Sequence, residues 1–207
     1  MLYLASQSPR RLSVLNEMGV QVELLLPESF EDSESLEIRL PHESGLDYVT
    51  RVTLLKLEAA KKRLLRQQKI WSPILCADTT VCIRNSAEDL IFGKPTDDKH
   101  ALQILQELNG KTHEVYTAVA LLVHRESSPI HLVSISRVTF ENNPLEKIMA
   151  YIKSKEPFGK AGAYGIQGIG AALIKNLDGS HSGVMGLPFY ETSQLLDLAG
   201  ISYTLNL

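Results

Sequence analysis

Two adjacent arginines stand where a short apolar run gives way to a predicted helix. Segment 6–11 reads SQSPRR, and a serine at position 8 before Pro9 is typical of a helix start. The free backbone N–H groups and the dipole of a helix start both favour an anion. Because guanidinium groups match phosphate geometry, Arg10 and Arg11 predict a phosphate site. The alternative is a pair of surface arginines bound to nearby carboxylates.

A lysine interrupts the apolar face of the next predicted helix. On a helical wheel of residues 45–68, Lys56 lies in the middle of that face. A lysine placed there must reach solvent, pair with a carboxylate or face a polar cleft. Leucines 54, 55 and 57 blur the pattern, so structural and functional roles both stay open.

An aspartate likewise interrupts a β-branched strand pattern at 74–83. Asp78 is poorly matched to a strand and, if buried, needs a hydrogen bond, a cation or a metal. It fits a bulge or a strand end equally well. Lys94 follows in a turn and is otherwise an ordinary surface lysine. The acidic pair Glu31 and Asp32 lies in a predicted exposed loop, where such pairs are usually only solvated.

The glycine-rich segment 160–170 lacks the glycine spacing of a dinucleotide-binding fingerprint and leads into a strand instead of a helix. Its glycines permit close backbone approach or positive φ. Gln167 offers a donor and an acceptor to the edge of a planar base. A plain tight turn is the alternative.

Apolar periodicity predicts alternating strands and helices. The predicted strands are 2–5, 22–26, 73–83, 113–123, 130–140 and 172–177, and the predicted helices are 9–18, 45–68, 97–109, 144–153 and 188–199. Alternation indicates an α/β fold. Because the later strands follow one another without room for helices, we expect a mixed sheet with flanking helices, in one domain over 1–207.

The amino-acid composition argues against several classes of protein. Of the 207 residues, 44% are hydrophobic and 22% charged, which is typical of a globular protein and argues against disorder. A net charge of −3 argues against general nucleic-acid binding. No apolar run approaches the roughly 18 residues of a membrane span. The N-terminal run does not read as a signal peptide, and Cys76 and Cys82 are interpreted as buried free thiols. We therefore expect a cytoplasmic protein.

Taken in order, these motifs resemble the Maf family of nucleoside triphosphate pyrophosphatases. The similarity rests on segments LASQSPRR (4–11), ADT (77–79), GKP (93–95), KAGAYGIQG (160–168) and GLP (186–188), with Arg51, Lys56 and the stretch from His113 to Val119. The resemblance implies two lobes around a deep nucleotide-binding cleft and a homodimer. Segment 160–168 resembles the branch acting on dTTP and UTP, and differs from the branch acting on 7-methyl-GTP.

The resemblance also implies roles for individual residues. The catalytic set is Asp78, Lys56 and Lys94; the substrate-binding set is Ser6, Ser8, Arg10, Arg11, Thr79 and Gln167; the metal-binding set is Asp78 with Glu31 or Asp32. The cofactor is a divalent cation, Mg²⁺ or Mn²⁺. Asp78 matches the proton acceptor, and residues 10, 79 and 167 match positions that set substrate choice.

The chain departs from the family at two places. The family usually shows an acidic pair ending in glutamate after the second strand, whereas Glu31 is followed here by Asp32. Gly159 replaces a residue that is commonly aspartate. Two rival functions remain: a non-enzymatic regulator of septum formation acting through a protein partner, and a house-cleaning enzyme for modified pyrimidine nucleotides.

Overall fold

The computed structural model describes residues 1–32, 35–85 and 88–206. Within these ranges one sheet contains seven strands in the order β2-β1-β3-β5-β6-β7, with β4 beside β3. The strands are β1 (Leu2–Leu4), β2 (Val22–Leu24), β3 (Ile74–Ile83), β4 (Leu90–Phe92), β5 (Thr112–Leu122), β6 (Ile130–Phe140) and β7 (Ile174–Asp178). β1 runs parallel to β2 and β3, and the other pairs are antiparallel. The predicted mixed α/β sheet is confirmed.

Six helices flank the sheet in the described ranges. They are α1 (Pro9–Glu17), α2 (Gly45–Arg66), α3 (Asp98–Leu108), α4 (Leu145–Lys153), α5 (His181–Met185) and α6 (Phe189–Leu198). Ser44 and Asp97 cap α2 and α3 by accepting hydrogen bonds from Asp47 N and His100 N. Ser8 precedes α1 as predicted, but its side chain makes no capping hydrogen bond. β4 and α5 were not predicted.

A gap in strand pairing lies at the centre of the sheet. One edge of β3 pairs with β5 along almost its whole length, while the opposite edge pairs with β1 at 74–75 and with β4 at 81–83. Between these two short strands, residues 76–80 have no strand partner on that edge in the described chain. Asp78 and Thr79 lie in this gap.

Strand periodicity sends these two side chains to opposite faces. Ile74 and Cys76 pack against α2, whereas Leu75 and Ala77 pack against α1 and α6. Because side chains alternate along a strand, Asp78 faces α2 and Thr79 faces α1. A separate apolar cluster contains residues of α3 and α4 and the far ends of β3, β5 and β6. Asp78 and Thr79 therefore lie between this cluster, which includes Val81, and the two clusters that include residues 74–77.

The expectation for the two cysteines is also met. Cys76 and Cys82 are buried free thiols, and burial raises the pKa of Cys76 to about 11. Across the described ranges, no helix combines the length and apolar character needed to cross a membrane.

Candidate active site

A cavity of about 1260 Å³ opens at the gap between β1 and β4. Its lining includes every site residue predicted from the sequence: Ser6, Ser8, Arg10, Arg11, Glu31, Asp32, Lys56, Asp78, Thr79, Lys94 and Gln167. The fold therefore brings together residues that are up to 161 positions apart in the sequence. Their individual roles stay predictions.

A lysine joins two carboxylates on the α2 side of the cavity. Lys56 Nζ lies 2.6 Å from Glu37 Oε1 and 2.7 Å from Asp78 Oδ1. Burial alone would lower the pKa of Lys56, but Asp78 and Glu37 outweigh it and raise that pKa. The apolar-face lysine thus pairs with carboxylates and also faces a polar cleft.

Glu37 is the member of this cluster that sequence reasoning missed. It ends a 3₁₀ turn (Ser35–Glu37), and its backbone carbonyl accepts a hydrogen bond of 2.9 Å from Tyr48 Oη. Lys94 Nζ lies 3.4 Å from Glu37 Oε1. Burial would raise the pKa of Glu37, but Lys56 and Lys94 outweigh it and lower that pKa. The position of Lys56 predicts an acidic partner. The spacing of residues in the sequence does not show which carboxylate of the acidic loop before α2 that partner is.

The acidic pair assigned from the sequence has other contacts. Glu31 accepts hydrogen bonds of 2.9 and 2.6 Å from Arg63 Nε and Nη2, and one of 2.7 Å from Arg66 Nη2. The bonds from Arg63 are the largest cause of a lowered Glu31 pKa, about 2. Asp32 Oδ1 accepts a bond of 3.1 Å from Ser35 N, which caps the turn leading to Glu37. Glu37, and not this pair, contacts Lys56.

Arg11 is held on the α1 side of the cavity. Its Nε donates to Gly186 O at 2.8 Å, its Nη1 to Ser6 Oγ at 3.2 Å and its Nη2 to Thr79 Oγ1 at 3.4 Å. Thr79 Oγ1 also accepts a bond of 3.0 Å from Thr117. The unpredicted helix α5 ends beside this network, at a Gly186 with φ of 117°.

Arg10 lies beside Arg11 and donates from Nε to Met185 O at 3.2 Å. Neither arginine forms an ion pair with a carboxylate in the described part of the chain. Glu17, a possible partner, accepts instead from Ser13 at 3.3 Å. Burial, followed by repulsion from Arg11, lowers the pKa of Arg10. Two adjacent cations without counter-ions favour an anionic ligand.

Gln167 lies on a third part of the wall. It is exposed at a turn between two 3₁₀ segments, 161–163 and 169–173. Lys160 also lines the cavity, and burial, followed by the charge of Arg10, lowers its pKa. The same cavity thus carries the exposed amide of Gln167 and the ammonium group of Lys160.

The fold and the site together define a mixed α/β protein with a cleft lined by charged side chains at the gap in its sheet. Glu37 and Asp78 share the ammonium group of Lys56. Six cationic side chains line the cleft together with six carboxylates: Arg10, Arg11, Lys56, Arg63, Lys94 and Lys160, with Glu28, Glu31, Asp32, Glu37, Asp78 and Glu156. Such an arrangement can hold several phosphates and still present a carboxylate to a water molecule.

The chain belongs to the Maf family, since the family model described as Maf-like protein matches residues 1–199. Among curated relatives, the dTTP/UTP pyrophosphatase of Albidiferax ferrireducens is 50% identical over 199 residues, covering 96% of each chain. That of Burkholderia orbicola is 48% identical, covering 98% of this chain and 94% of the relative. The protein of the same name from Cupriavidus metallidurans is 48% identical and covers 98% of each.

Among solved structures, the chain is similar to the Staphylococcus aureus Ham1 protein at 10% identity. The TM-score is 0.47, and the similarity covers 99% of this chain and 92% of that one. This likeness is too distant to support a functional conclusion.

Proposed function

We propose that this protein hydrolyses nucleoside triphosphates, dTTP and UTP foremost, to the monophosphate and pyrophosphate. The observation that carries the proposal is the contact of Lys56 with both Glu37 and Asp78 inside a cavity that Arg10 and Arg11 also line. Relatives that share about half of the chain's residues are named dTTP/UTP pyrophosphatase, which supports the same substrates here.

Charge neutralisation is the first task of the site. Arg10 and Arg11 present guanidinium groups on one side of the cavity, and Lys56 and Lys94 present ammonium groups on the other. A bound triphosphate carries several negative charges that repel an attacking nucleophile. Pairing them with four cations holds the chain of phosphates in place and stabilises the charge that develops in the transition state.

Asp78 supplies the base. Its Oδ1 is held by Lys56 at 2.7 Å, and its position at the gap in the sheet exposes the carboxylate to the cavity. Asp78 accepts a proton from a water molecule whose oxygen attacks the α-phosphorus. The bond from that phosphorus to the bridging oxygen breaks, and pyrophosphate leaves. Glu37 positions Lys56 and Lys94, and takes the acidic role assigned from the sequence to Glu31 or Asp32.

A divalent cation fits this site. Mg²⁺ usually binds proteins through one or two carboxylates and completes its shell with water and substrate phosphates. Glu37 and Asp78 provide two carboxylates that converge on one nitrogen, although no group of three His, Cys, Asp or Glu ligands forms within the described ranges. Asp78 and Glu37 would hold Mg²⁺ or Mn²⁺ jointly with phosphate oxygens. The bound ion supplies charge neutralisation at the phosphates.

Gln167 and Thr79 determine the choice of nucleotide. The exposed amide of Gln167 offers a donor and an acceptor to the edge of a pyrimidine base. Thr79 lies close to Arg11 and links the phosphate-binding side of the cavity to β3. Modified pyrimidine triphosphates present similar edges and belong to the same substrate class.

The test is pyrophosphate release from dTTP, UTP, CTP, GTP and 7-methyl-GTP with Mg²⁺ or Mn²⁺. We expect dTTP and UTP to be cleaved best, and the Asp78→Asn variant to lose about 10³-fold in kcat with its fold intact. Asp98→Asn, an exposed aspartate on α3 that pairs with Lys155, is the matched control. Full activity in Asp78→Asn would remove its role as base, and a folded protein inactive on every nucleotide would favour the regulator.

The homodimer and the cytoplasmic location stay predictions. Light scattering coupled to size-exclusion chromatography measures the first, and fractionation of cells measures the second.

A further inference from the structure

A carboxylate that lines the cavity beside the glycine-rich segment binds the backbone of that segment at two consecutive residues. Glu156 Oε2 accepts a hydrogen bond of 2.9 Å from Ile169 N, and Oε1 accepts one of 3.0 Å from Gly170 N. Burial would raise the pKa of Glu156, but these N–H groups outweigh it and lower that pKa. Glu156 follows α4 and is half-buried. Both of its oxygens are therefore committed to the protein backbone.

A tyrosine extends this arrangement to the other side of the turn. Tyr151 Oη donates to Glu156 Oε1 at 3.1 Å and accepts from Gly165 N at 3.1 Å. Tyr151 is buried, at 5% exposure, because it packs into the apolar cluster of α3 and α4. The pair formed by Glu156 and Tyr151, here called the brace, thus joins residues 165, 169 and 170 to the core.

The glycines of the segment are those that close contact with the brace requires. A Cβ at Gly168 would collide with the Glu156 carboxylate, and one at Gly170 would lie 2.6 Å from Tyr151 Oη. Neither glycine has the positive φ that would otherwise explain its presence. Packing against the brace therefore explains two of the four glycines, whereas Gly162 has a φ of 70° and lies against Val81, and Gly165 lies against Lys160.

Gln167 lies between the braced positions. The backbone is fixed two residues before it, at Gly165, and two residues after it, at Ile169. The Gln167 side chain is itself exposed on the cavity wall. A short turn held at both ends keeps its central side chain in one place, whereas a free glycine-rich turn samples many conformations.

We propose that Glu156 and Tyr151 are positioning residues for nucleobase selection, which act by holding the turn that carries Gln167. The inference rests on the proposed function, because it requires Gln167 to contact the base. To hold the turn, Glu156 must be an ionised carboxylate whose two oxygens both accept hydrogen bonds from the backbone. In Glu156→Gln one of the two acceptors becomes an NH₂ group that faces a backbone N–H, so the turn loses one anchor while side-chain volume is preserved.

The experiment compares kcat and KM for dTTP and GTP in wild type, Glu156→Gln, Tyr151→Phe and Gln167→Ala. We expect the ratio of kcat/KM for dTTP over GTP to fall about tenfold in Glu156→Gln and about threefold in Tyr151→Phe. The loss arises mainly in KM for dTTP, because the brace binds the backbone at residues 165, 169 and 170, whereas Lys56 is bound to Asp78 and Glu37. Glu146→Gln, an exposed glutamate on α4, is the matched control and keeps the wild-type ratio.

A double variant separates positioning from general destabilisation. If Glu156 acts through Gln167, Glu156→Gln adds little loss of discrimination in a Gln167→Ala background, although each change alone lowers the ratio. Additive losses in the double variant would overturn the proposal, as would an unchanged ratio in folded Glu156→Gln. Tyr151→Phe provides the same test if Glu156→Gln does not fold.

Failure of the proposed function has a different signature. A wild type that releases no pyrophosphate overturns the enzymatic proposal and the role of the brace together. Normal turnover with an unchanged ratio in Gln167→Ala overturns the assignment of the base contact and therefore the brace as its support. Loss of discrimination in Gln167→Ala but not in the brace variants overturns the brace alone.

Discussion

Four cationic side chains of α2 pair with the acidic loop that precedes the helix, and two of these ion pairs, those of Lys56 and Arg63, differ in kind. Lys56 and Arg63 are seven residues apart, which places them on one face of the helix about 10 Å from each other. Lys56 contacts Glu37, and Arg63 contacts Glu31. Both pairs attach the loop to α2, but the pair at Lys56 also includes Asp78 of β3.

The geometry of each pair indicates what it does. The guanidinium of Arg63 binds both oxygens of Glu31, and Arg63 Nη1 also donates to Leu25 O at 2.8 Å. Its side chain is only 4% exposed. Lys56 instead contacts one oxygen of each carboxylate and is 19% exposed at the cavity. The planar guanidinium of an arginine binds both oxygens of a carboxylate at once. The compact ammonium group of a lysine binds one oxygen and leaves the other free to accept hydrogen bonds from water or substrate. The first pair fixes the loop, and the second is suited to chemistry.

Removing Lys56 produces the largest change that this comparison predicts. In Lys56→Met we expect kcat to fall about 10²- to 10³-fold, since a cation that stabilises developing charge is lost. The pKa of Glu37 rises without its partner, so the acid side of the pH–activity curve moves to higher pH. The measurement is pyrophosphate release from dTTP against pH. Lys62→Met, an exposed lysine on the same helix, keeps the wild-type curve.

Removing Arg63 affects stability instead. Arg63→Met leaves Glu31 without its main partner in a largely buried position, so we expect a loss of about 3 kcal/mol in the free energy of unfolding. Urea denaturation measures this loss, and kcat of the folded variant changes far less than in Lys56→Met. Arg66→Met, whose side chain is 44% exposed, shows a much smaller loss. A large fall in kcat with unchanged stability would show that the two pairs do not differ as described.

The same contrast shows what the sequence could predict. Long strands and helices carry strong periodicity, and β3, β5, β6 and α2 lie where it places them. β4 has three residues and α5 has five, too few for a repeating pattern. The sequence predicts which side chains line the cavity where several functional residues stand close together, as in segment 6–11. It is harder to predict which side chains form ion pairs with one another.

The acidic loop illustrates the difficulty. Lys56 predicts a carboxylate partner, but Glu31 and Glu37 both lie within reach of α2, and the path of the loop decides between them. Arg63 provides a signal that was available, because a second cation seven residues from Lys56 on the same face implies a second acidic partner. Arg51 pairs with Glu43 and Arg66 with Glu28, so the ion pairs along α2 follow the loop in reverse order: Glu43, Glu37, Glu31 and Glu28.

Replacing Glu31 produces the smallest change in stability that the comparison of the Lys56 and Arg63 pairs predicts. Its pKa in the folded protein is about 2, below the 4.5 of a free glutamate, so the ionised carboxylate stabilises the fold above about pH 4.5. That stabilisation is lost as pH falls from about 4.5 towards 2, where Glu31 becomes protonated. Glu31→Gln keeps one acceptor for Arg63, so we expect a loss of about 2 kcal/mol at pH 7 and a flatter acid dependence.

The same variant decides between a structural pair and the metal ligand suggested by the sequence. If Glu31 only fixes the loop, the Mg²⁺ or Mn²⁺ concentration that gives half-maximal activity is the same in Glu31→Gln and wild type. A metal requirement raised about tenfold would show that Glu31 takes part in metal binding, either as a ligand or by orienting one, since both kinds of change alter metal affinity on that scale. In that case the ion would have to compete with Arg63 for the carboxylate, and the pair would be a switch between loop attachment and metal binding.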